Sequence, residues 1–191
     1  MRVSIVITTR NRKEELRIAV SSALGQTAQP EVIVIDDGSN DGTAEMVQAN
    51  FPSVRLERSE TSQGYIVQRN QGAHLAKGRI LFSIDDDAEF STPHIVEQTL
   101  RDFDHPRIGA IAIPYLEPKE TNRGPQLPPD DRATWITGVF IGSAHAVRRN
   151  VFLRLGGYRE ELVHQGGVDR RFEEDALRIG VALGLGRALG R

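Results

Sequence analysis

The sequence predicts an α/β fold in which a mostly parallel sheet is flanked by helices. Strand-like and helix-like segments alternate through the first 90 residues, an order typical of parallel sheets with right-handed crossovers. Two strand-like runs, residues 31–35 and 79–84, are nearly continuous apolar segments, as expected for strands covered on both faces, and a third run, residues 3–9, is rich in β-branched residues. Each run ends in polar or acidic residues, and parallel sheets bind ligands at the carboxyl ends of their strands. We therefore expect a binding site at one edge of the sheet.

The individual elements follow from periodicity and from residues that start or stop helices. β-Branched residues predict the first strand, and Asn11 with Glu14 three residues later has the pattern of a helix N-cap. That helix is expected to run to about Leu24 and to end at Gly25. The same kinds of signal predict further strands over 31–35, 54–57, 79–84, 108–114 and 133–142, and helices starting near Asp41 and spanning about 65–77, 92–103 and 148–155.

Composition favours one globular domain. The chain has 191 residues, of which 39% are hydrophobic and 26% charged. The formal net charge is −2 and the basic residues are scattered, so nothing favours nucleic acid as a partner. The absence of cysteine excludes disulfides and thiolate metal sites. No secretory signal pattern and no apolar stretch of the roughly 18 to 20 residues needed to span a bilayer are present, so we expect a cytoplasmic protein.

Three consecutive carboxylates, Asp85, Asp86 and Asp87, follow the strand predicted over residues 79–84. If the backbone stays extended there, Asp85 and Asp87 point to one side and Asp86 to the other. Two carboxylates could then share one cation, and a hard divalent ion would remove their mutual repulsion. The run predicts a divalent metal site, with a solvated acidic turn as the alternative.

Two further polar turns also follow strands, at residues 8–11 and 36–39, and are expected to converge on the acids. The first turn contains no glycine pattern for a dinucleotide, and the chain has no phosphate loop of the Walker type. A nucleotide would therefore be held by side chains and a metal. A nucleotidyltransferase also uses acids at strand ends, but it usually has a glycine-rich, basic first loop, which residues 8–12 are not.

Taken together, these stretches resemble the inverting family 2 glycosyltransferases, whose fold is the GT-A nucleotide-sugar-binding domain. The resemblance covers roughly residues 3–162, and its ordered combination is specific although any single piece is weak. The matching pieces are residues 3–12, Gln26 with Thr27, 34–43, Gln68-Arg69-Asn70 with Gly72, 76–78, 85–87 and 148–158.

The resemblance implies one GT-A domain over residues 1–191, with a donor-binding half at 1–114 and an acceptor-side half at 115–191. It implies transfer of a sugar from a nucleotide-diphosphate sugar to the hydroxyl of a saccharide or other acceptor, with inversion. Breaking a sugar–phosphate bond leaves a nucleoside diphosphate, whose developing charge Mn²⁺ or Mg²⁺ would stabilise.

The resemblance also implies roles for single residues. Thr8 and Asp37 would contact the nucleotide base, Asp85 and Asp86 would face the ribose or the metal, and Asp87 would bind the cation. The implied nucleotide site is Thr8, Thr9, Arg10, Asp37, Arg69, Asp85 and Asp86, and the implied metal ligands are Asp87 and Asp85.

Three of these assignments have alternatives. Asp37, like its neighbour Asp36, is also interpretable as a cap of the Gly38 turn and of the helix that follows. Arg69, with Asn70, is also interpretable as part of a solvated helix face. The family often has tyrosine where this chain has Arg10, whose planar guanidinium can also stack on a base, so UDP, dTDP and GDP all stay open.

The general base departs from the family pattern. An inverting transfer needs a carboxylate that takes the proton of the acceptor hydroxyl, and in the family this acid follows the double glycine by about ten residues. That count from Gly156 and Gly157 arrives at Gly167 instead of an acid. Either an insertion has moved the base to Glu174 or Asp175, or the chain after about residue 165 is altered or truncated. The second case predicts a catalytically impaired domain that binds metal and nucleotide sugar.

Overall fold

A computed structural model describes residues 2–115, 135–137, 144–160 and 181–183, with 135–137 and 181–183 described through their backbone alone. The described strands are β1 (Val3–Thr9), β2 (Glu31–Asp36), β3 (Arg55–Arg58), β4 (Ile80–Asp85), β5 (Ala110–Ala112), β6 (Trp135–Thr137), β7 (Ala144–Arg148) and β8 (Val181–Leu183). The described helices are α1 (Lys13–Leu24), α2 (Thr43–Asn50), α3 (Tyr65–Leu75), α4 (Ile95–Arg101) and α5 (Arg149–Arg154).

The strands form one sheet in the order β3-β2-β1-β4-β7-β5-β8-β6. Strand β1 pairs in parallel with β2 on one side and with β4 on the other, and β3 extends this block in parallel beyond β2. Strand β7 runs antiparallel between β4 and β5. The predicted α/β fold with a mostly parallel sheet flanked by helices is confirmed.

The three inner strands of the parallel block, β1, β2 and β4, are largely apolar because both of their faces are covered. Ile5 and Ile7 of β1 pack in one cluster of buried residues with α1, whereas Val6 between them packs in a second cluster with residues of α3 and α5. Alternate residues of β2 divide between the two clusters in the same way. Two-sided burial of this kind explains why these strands appear in the sequence as continuous apolar runs.

The start of α1 differs from the prediction that Asn11 is its N-cap. Arg12 is the capping position and makes no side-chain cap bond, while Asn11 has a φ of 55°. The side chain of Asn11 instead accepts a hydrogen bond of 2.8 Å from the backbone N–H of Asn40. Asp41 caps the helix from a distance in sequence, since its Oδ2 accepts from the backbone N–H of Lys13 at 3.1 Å.

Two other helices differ slightly from their predicted bounds. Helix α4 begins at Ile95, whereas the prediction began near residue 92, and α3 ends at Leu75, whereas the prediction ended near residue 77. Strand β7 was not predicted, because residues 144–148 contain few β-branched side chains. Within the described residues, none of the helices is long and apolar enough to span a bilayer.

Gly78 lies where the backbone that enters β4 passes directly against β1. A Cβ atom at this position would lie 2.4 Å from the backbone nitrogen of Ser4 and 2.6 Å from the carbonyl carbon of Val3. Backbone atoms in a central strand cannot move aside as a flexible side chain can. Position 78 therefore requires glycine for steric reasons.

We expect Gly78→Ala to lower the free energy of unfolding by about 1–3 kcal/mol or more, because it overpacks the contact with β1. Gly25→Ala is the matched control, since a Cβ there would come no nearer than 3.4 Å to Ser21 O and the backbone is already right-handed. Urea denaturation followed by circular dichroism measures both. Equal losses in the two variants would contradict the steric explanation.

Candidate functional site

The carboxyl ends of β1, β2 and β4 lie side by side at one edge of the sheet. Thr8 of β1 is in register with Asp85 of β4, and Thr9 is in register with Asp36 of β2. The three polar turns that the sequence singled out therefore come together, as predicted. This edge is the candidate site.

The three consecutive acids have three different surroundings. Asp85 is the last residue of β4, and the chain then turns, with the N–H of Ala88 donating to Asp85 O at 3.2 Å. Because the strand stops there, the predicted alternation of side chains along an extended backbone does not apply. Asp85 forms an ion pair with Arg69, whereas Asp87 pairs with Arg12 at 2.6 Å.

Asp86 is the internal member of the three. It is buried and accepts a hydrogen bond of 2.8 Å from Thr9 Oγ1, and it lies 3.4 Å from Nη1 of Arg12. Burial raises the pKa of Asp86 above its usual value, against the hydrogen bond from Thr9 and the charge of Arg12. The Asp86 carboxylate therefore holds the turn to the end of β1.

Asp85 and Asp87 are the acids that remain accessible for a cation. Their side chains are 35% and 52% exposed. Within the described part of the chain, no group of three or more histidine, cysteine, aspartate or glutamate residues could hold a metal ion. Two accessible carboxylates fit a hard divalent ion that takes most of its ligands from water or from a bound phosphate.

Arg69 and Asn70 are not part of a solvated helix face. The Arg69 side chain is only 11% exposed, and its guanidinium carbon lies 5.1 Å from the ring centroid of Tyr65, which is 40% exposed. Asn70 is buried. Helix α3 thus places the guanidinium of Arg69 and the ring of Tyr65 in the candidate site, with Arg69 next to Asp85.

Asp37 is buried and already accepts four hydrogen bonds. Its donors are Ser62 Oγ at 2.6 Å, the backbone N–H groups of Gln63 at 2.7 Å and Gly64 at 3.0 Å, and Gln68 Nε2 at 2.6 Å. Burial opposes ionisation, but the hydrogen bonds outweigh it, so the pKa of Asp37 lies below its usual value. Asp37 therefore caps α3 rather than the helix after Gly38. Its contact with a nucleotide base stays a prediction.

Asp36 fits the alternative reading as a cap. Its Oδ1 accepts from the N–H of Ser39 at 2.8 Å, and its Oδ2 lies 3.5 Å from Nε of Arg58. The residue is fully buried, so the pair with Arg58 compensates a charge that no solvent reaches. Asp36 thereby fixes the turn that begins at Asp37.

The remaining predicted residues divide between the site and the undescribed part of the chain. Thr8 and Thr9 are buried at the end of β1, and Arg10 beyond them is exposed. Glu174 and Asp175 lie outside the described residues, as does most of the predicted strand over 133–142.

Two residues that hold the acids of the candidate site, Arg12 and Gln68, were not predicted as site residues. Arg12 contacts both Asp86 and Asp87, and its position just past the end of β1 was the available signal. Gln68 is fully buried and donates to Asp37 and, at 2.8 Å, to Ser59 Oγ. The family resemblance included Gln68 among its matching residues but implied no role for it.

An α/β domain with acids and arginines at the carboxyl edge of parallel strands belongs to the class that binds a ligand at this edge. Residues 4–156 match the family described as glycosyl transferase family 2. The chain therefore belongs to glycosyl transferase family 2.

Curated relatives agree with this assignment. An uncharacterized glycosyltransferase of Haemophilus influenzae is 31% identical over 166 residues, which is 81% of this chain and 55% of that protein. A glucosyl-dolichyl phosphate glucuronosyltransferase of Haloferax volcanii is 31% identical over 179 residues, covering 83% of this chain and 56% of that protein. The chain thus spans just over half the length of these two relatives.

Solved structures confirm the GT-A fold. The mannosyltransferase PcManGT of Pyrobaculum calidifontis, in complex with GDP-Man and Mn²⁺, has a TM-score of 0.75 at 21% identity, covering 96% of this chain and 56% of that one. Residues 1–349 of Staphylococcus aureus TarS, in complex with UDP-GlcNAc, have a TM-score of 0.79 at 18% identity, covering 98% of this chain and 57% of that one.

We expect Asp37→Asn to destabilise the protein by about 1–3 kcal/mol at neutral pH, because it weakens hydrogen bonds to a charged acceptor. Since the pKa of Asp37 is lower in the folded state, its stabilising contribution is complete above the ordinary value of 3.8 and is lost as the pH falls through the folded-state pKa. The gap in stability between the wild type and Asp37→Asn should therefore narrow below about pH 4.

Urea denaturation at a series of pH values measures this gap. Asp104→Asn, at an exposed site beyond α4, is the matched control and should show no gap at neutral pH. A gap for Asp37→Asn that stays constant from pH 7 to pH 3 would show that the carboxylate charge is not the cause.

Proposed function

We propose that this chain is the nucleotide-sugar-binding domain of a glycosyltransferase that transfers a sugar to an acceptor hydroxyl with inversion. The observation that carries the proposal is the pairing of acids with arginines at the carboxyl edge of the parallel block. Asp85 and Asp87 both lie at the end of β4, where Asp85 pairs with Arg69 of α3 and Asp87 pairs with Arg12, which follows β1. A nucleoside diphosphate is a polyanion, so it needs cationic groups at the point where the sugar leaves.

Asp85 and Asp87 would hold the divalent cation. A bound Mn²⁺ or Mg²⁺ would supply positive charge that stabilises the departing nucleoside diphosphate. Arg12 neutralises Asp87 through a pair in which both side chains are about half exposed, at 49% and 52%. Such an exposed pair contributes little to stability, so an incoming ion can replace it at low cost. The released guanidinium could then bind phosphate oxygens.

The base would lie near the ends of β1 and β2. Arg10 is exposed just beyond β1, where its guanidinium could stack on the base. For Asp37 to accept from a ring N–H, one of its four hydrogen bonds has to open, and the hydroxyl of Ser62 can rotate away most easily. Of the two similar structures described above, PcManGT is in complex with GDP-Man and TarS with UDP-GlcNAc. UDP, dTDP and GDP therefore all remain candidates for the nucleotide of the donor.

The transfer would require a general base, for which Glu174 and Asp175 are the candidates. The family match ends at residue 156, before these acids. That observation supports a second candidate function, a domain that binds metal and nucleotide sugar but transfers nothing. The acceptor would be a saccharide or another hydroxyl compound, and we propose a cytoplasmic location.

The two functions are distinguished by incubating the chain with Mn²⁺ and a panel of UDP, dTDP and GDP sugars, with and without saccharide acceptors. Thermal stabilisation reports donor binding, and release of nucleoside diphosphate reports turnover. Stabilisation with release supports the transferase, and stabilisation without release supports the binding domain. No stabilisation by any donor, with or without Mn²⁺, would contradict both.

We expect Asp87→Asn to abolish the Mn²⁺-dependent part of the thermal shift produced by a nucleoside diphosphate, because it removes one of the two accessible carboxylates. The melting temperature without ligand should hardly change, since the lost pair with Arg12 is exposed. Differential scanning fluorimetry with UDP, dTDP and GDP, each with and without Mn²⁺, measures the effect.

Asp104→Asn serves again as the control, because Asp104 is exposed and precedes β5 at the opposite edge of the sheet. Its Mn²⁺-dependent shift should equal that of the wild type. An unchanged shift in Asp87→Asn would exclude Asp87 as a metal ligand.

A further inference from the structure

The segment after α5, residues 156–160, is bound to α3 at the residue next to Arg69. Asn70 Nδ2 donates to the carbonyl of Tyr158 at 2.9 Å, and the N–H of Tyr158 donates to Asn70 Oδ1 at 2.9 Å. Asn70 Nδ2 also donates to Glu160 Oε1 at 2.9 Å. The two bonds to Tyr158 are buried, where hydrogen bonds are most costly to lose.

The segment is shaped to receive Asn70. Gly157 has a φ of 72°, and a Cβ atom there would lie 2.5 Å from Asn70 Oδ1. The left-handed backbone and the missing side chain let the asparagine amide approach the main chain. The other side of the segment is anchored as well, because Tyr158 Oη and His145 Nε2 share a buried hydrogen bond of 2.7 Å. The Tyr158 ring also packs edge-on against Phe152, with centroids 5.0 Å apart.

Arg69 depends on the placement of α3. Its Nε is buried and has no hydrogen-bond partner among the described residues. The guanidinium is held at its tip by Asp85 and is stacked on Tyr65, which belongs to the same helix. A shift of α3 along or away from the sheet would therefore carry Arg69 with it and change the pair with Asp85.

We propose that Asn70 is a positioning residue that couples the segment 156–160 to the Arg69–Asp85 pair. Through it, residues 156–160 set the position of Arg69 in the donor site. The proposal rests on the proposed function for its effect on nucleotide binding. The coupling to the Arg69–Asp85 pair does not require a ligand.

The chain offers a matched control for this coupling at the other end of the same helix. Arg149 of α5 donates from Nε to the carbonyl of Ala73 at 2.8 Å and from Nη2 to the carbonyl of His74 at 2.9 Å. These bonds also tie α5 to α3, but about one helical turn beyond Arg69 and away from the carboxyl edge. Removing them should cost stability without moving the Arg69–Asp85 pair.

The first experiment compares Asn70→Ala with Arg149→Gln by isothermal titration calorimetry of UDP, dTDP and GDP with Mn²⁺. The temperature is chosen so that circular dichroism shows every variant fully folded. We expect the dissociation constant to rise at least fivefold in Asn70→Ala and less than twofold in Arg149→Gln. Equal changes in the two variants would overturn the proposal and leave Asn70 with a structural role alone.

The second experiment needs no ligand and separates this proposal from the proposed function. The side-chain Nε–Hε signal of Arg69, assigned by its loss in Arg69→Lys, is followed by ¹⁵N NMR. We expect it to shift or broaden in Asn70→Ala and to stay unchanged in Arg149→Gln. If the wild type binds no nucleoside diphosphate, the proposed function fails while this readout still tests the coupling. An unchanged Arg69 signal in Asn70→Ala would overturn it.

A compensating pair of substitutions tests whether the side-chain contacts of Asn70 transmit the effect. Asn70→Asp keeps an acceptor for the N–H of Tyr158 but places a carboxylate against the Tyr158 carbonyl and Glu160. Combining it with Glu160→Gln supplies an amide donor at position 160, so a hydrogen bond between the two side chains can form again with its direction reversed. We expect the Arg69 Nε–Hε signal to move away from its wild-type position in Asn70→Asp and to return part of the way in the combined variant. No return would count against transmission through these contacts.

Discussion

The site depends on β1 being buried on both faces and paired in parallel on both edges. Because side chains alternate along a strand, a slip of one residue in either pairing would exchange the two apolar faces. The register is therefore fixed by the whole core, and it places Thr8 beside Asp85 and Thr9 beside Asp36. Hydrophobic burial, which carries no information about ligands, thus determines which polar groups meet.

The acids gathered at this edge are distinguished by what neutralises them. Asp36 is paired with Arg58, and Asp37 accepts its hydrogen bonds from residues at and just before the start of α3. Asp85 is paired with a largely buried arginine, whereas Asp87 is paired with an exposed one. Solvent screens the exposed pair more strongly, so Asp87 is the carboxylate that an external cation can claim most readily. The division follows from burial alone, and the role of Asp87 as a metal ligand stays a prediction.

The sequence predicted the elements whose signals are local. The apolar runs of β1, β2 and β4 and their polar ends depend on neighbouring residues only, and all three were found within a residue or so. Features set by distant partners were not predictable. Asn11 has the composition of an N-cap, but a loop 29 residues away binds its side chain instead. Asp37 likewise caps a helix that begins well beyond the one that follows it.

The same distinction explains why the contacts of Asn70 could not be anticipated. Its partners, Tyr158 and Glu160, are 88 and 90 residues away along the chain. They reach it because β7 inserts antiparallel beside β4 and brings α5 onto the face of the sheet that α3 covers. Described residues on both sides of position 115 therefore share one sheet and one core cluster, while the single domain over residues 1–191 stays a prediction. In the described part of the chain, packing and hydrogen bonds thus connect the segment 156–160 to α3, the helix that carries Arg69.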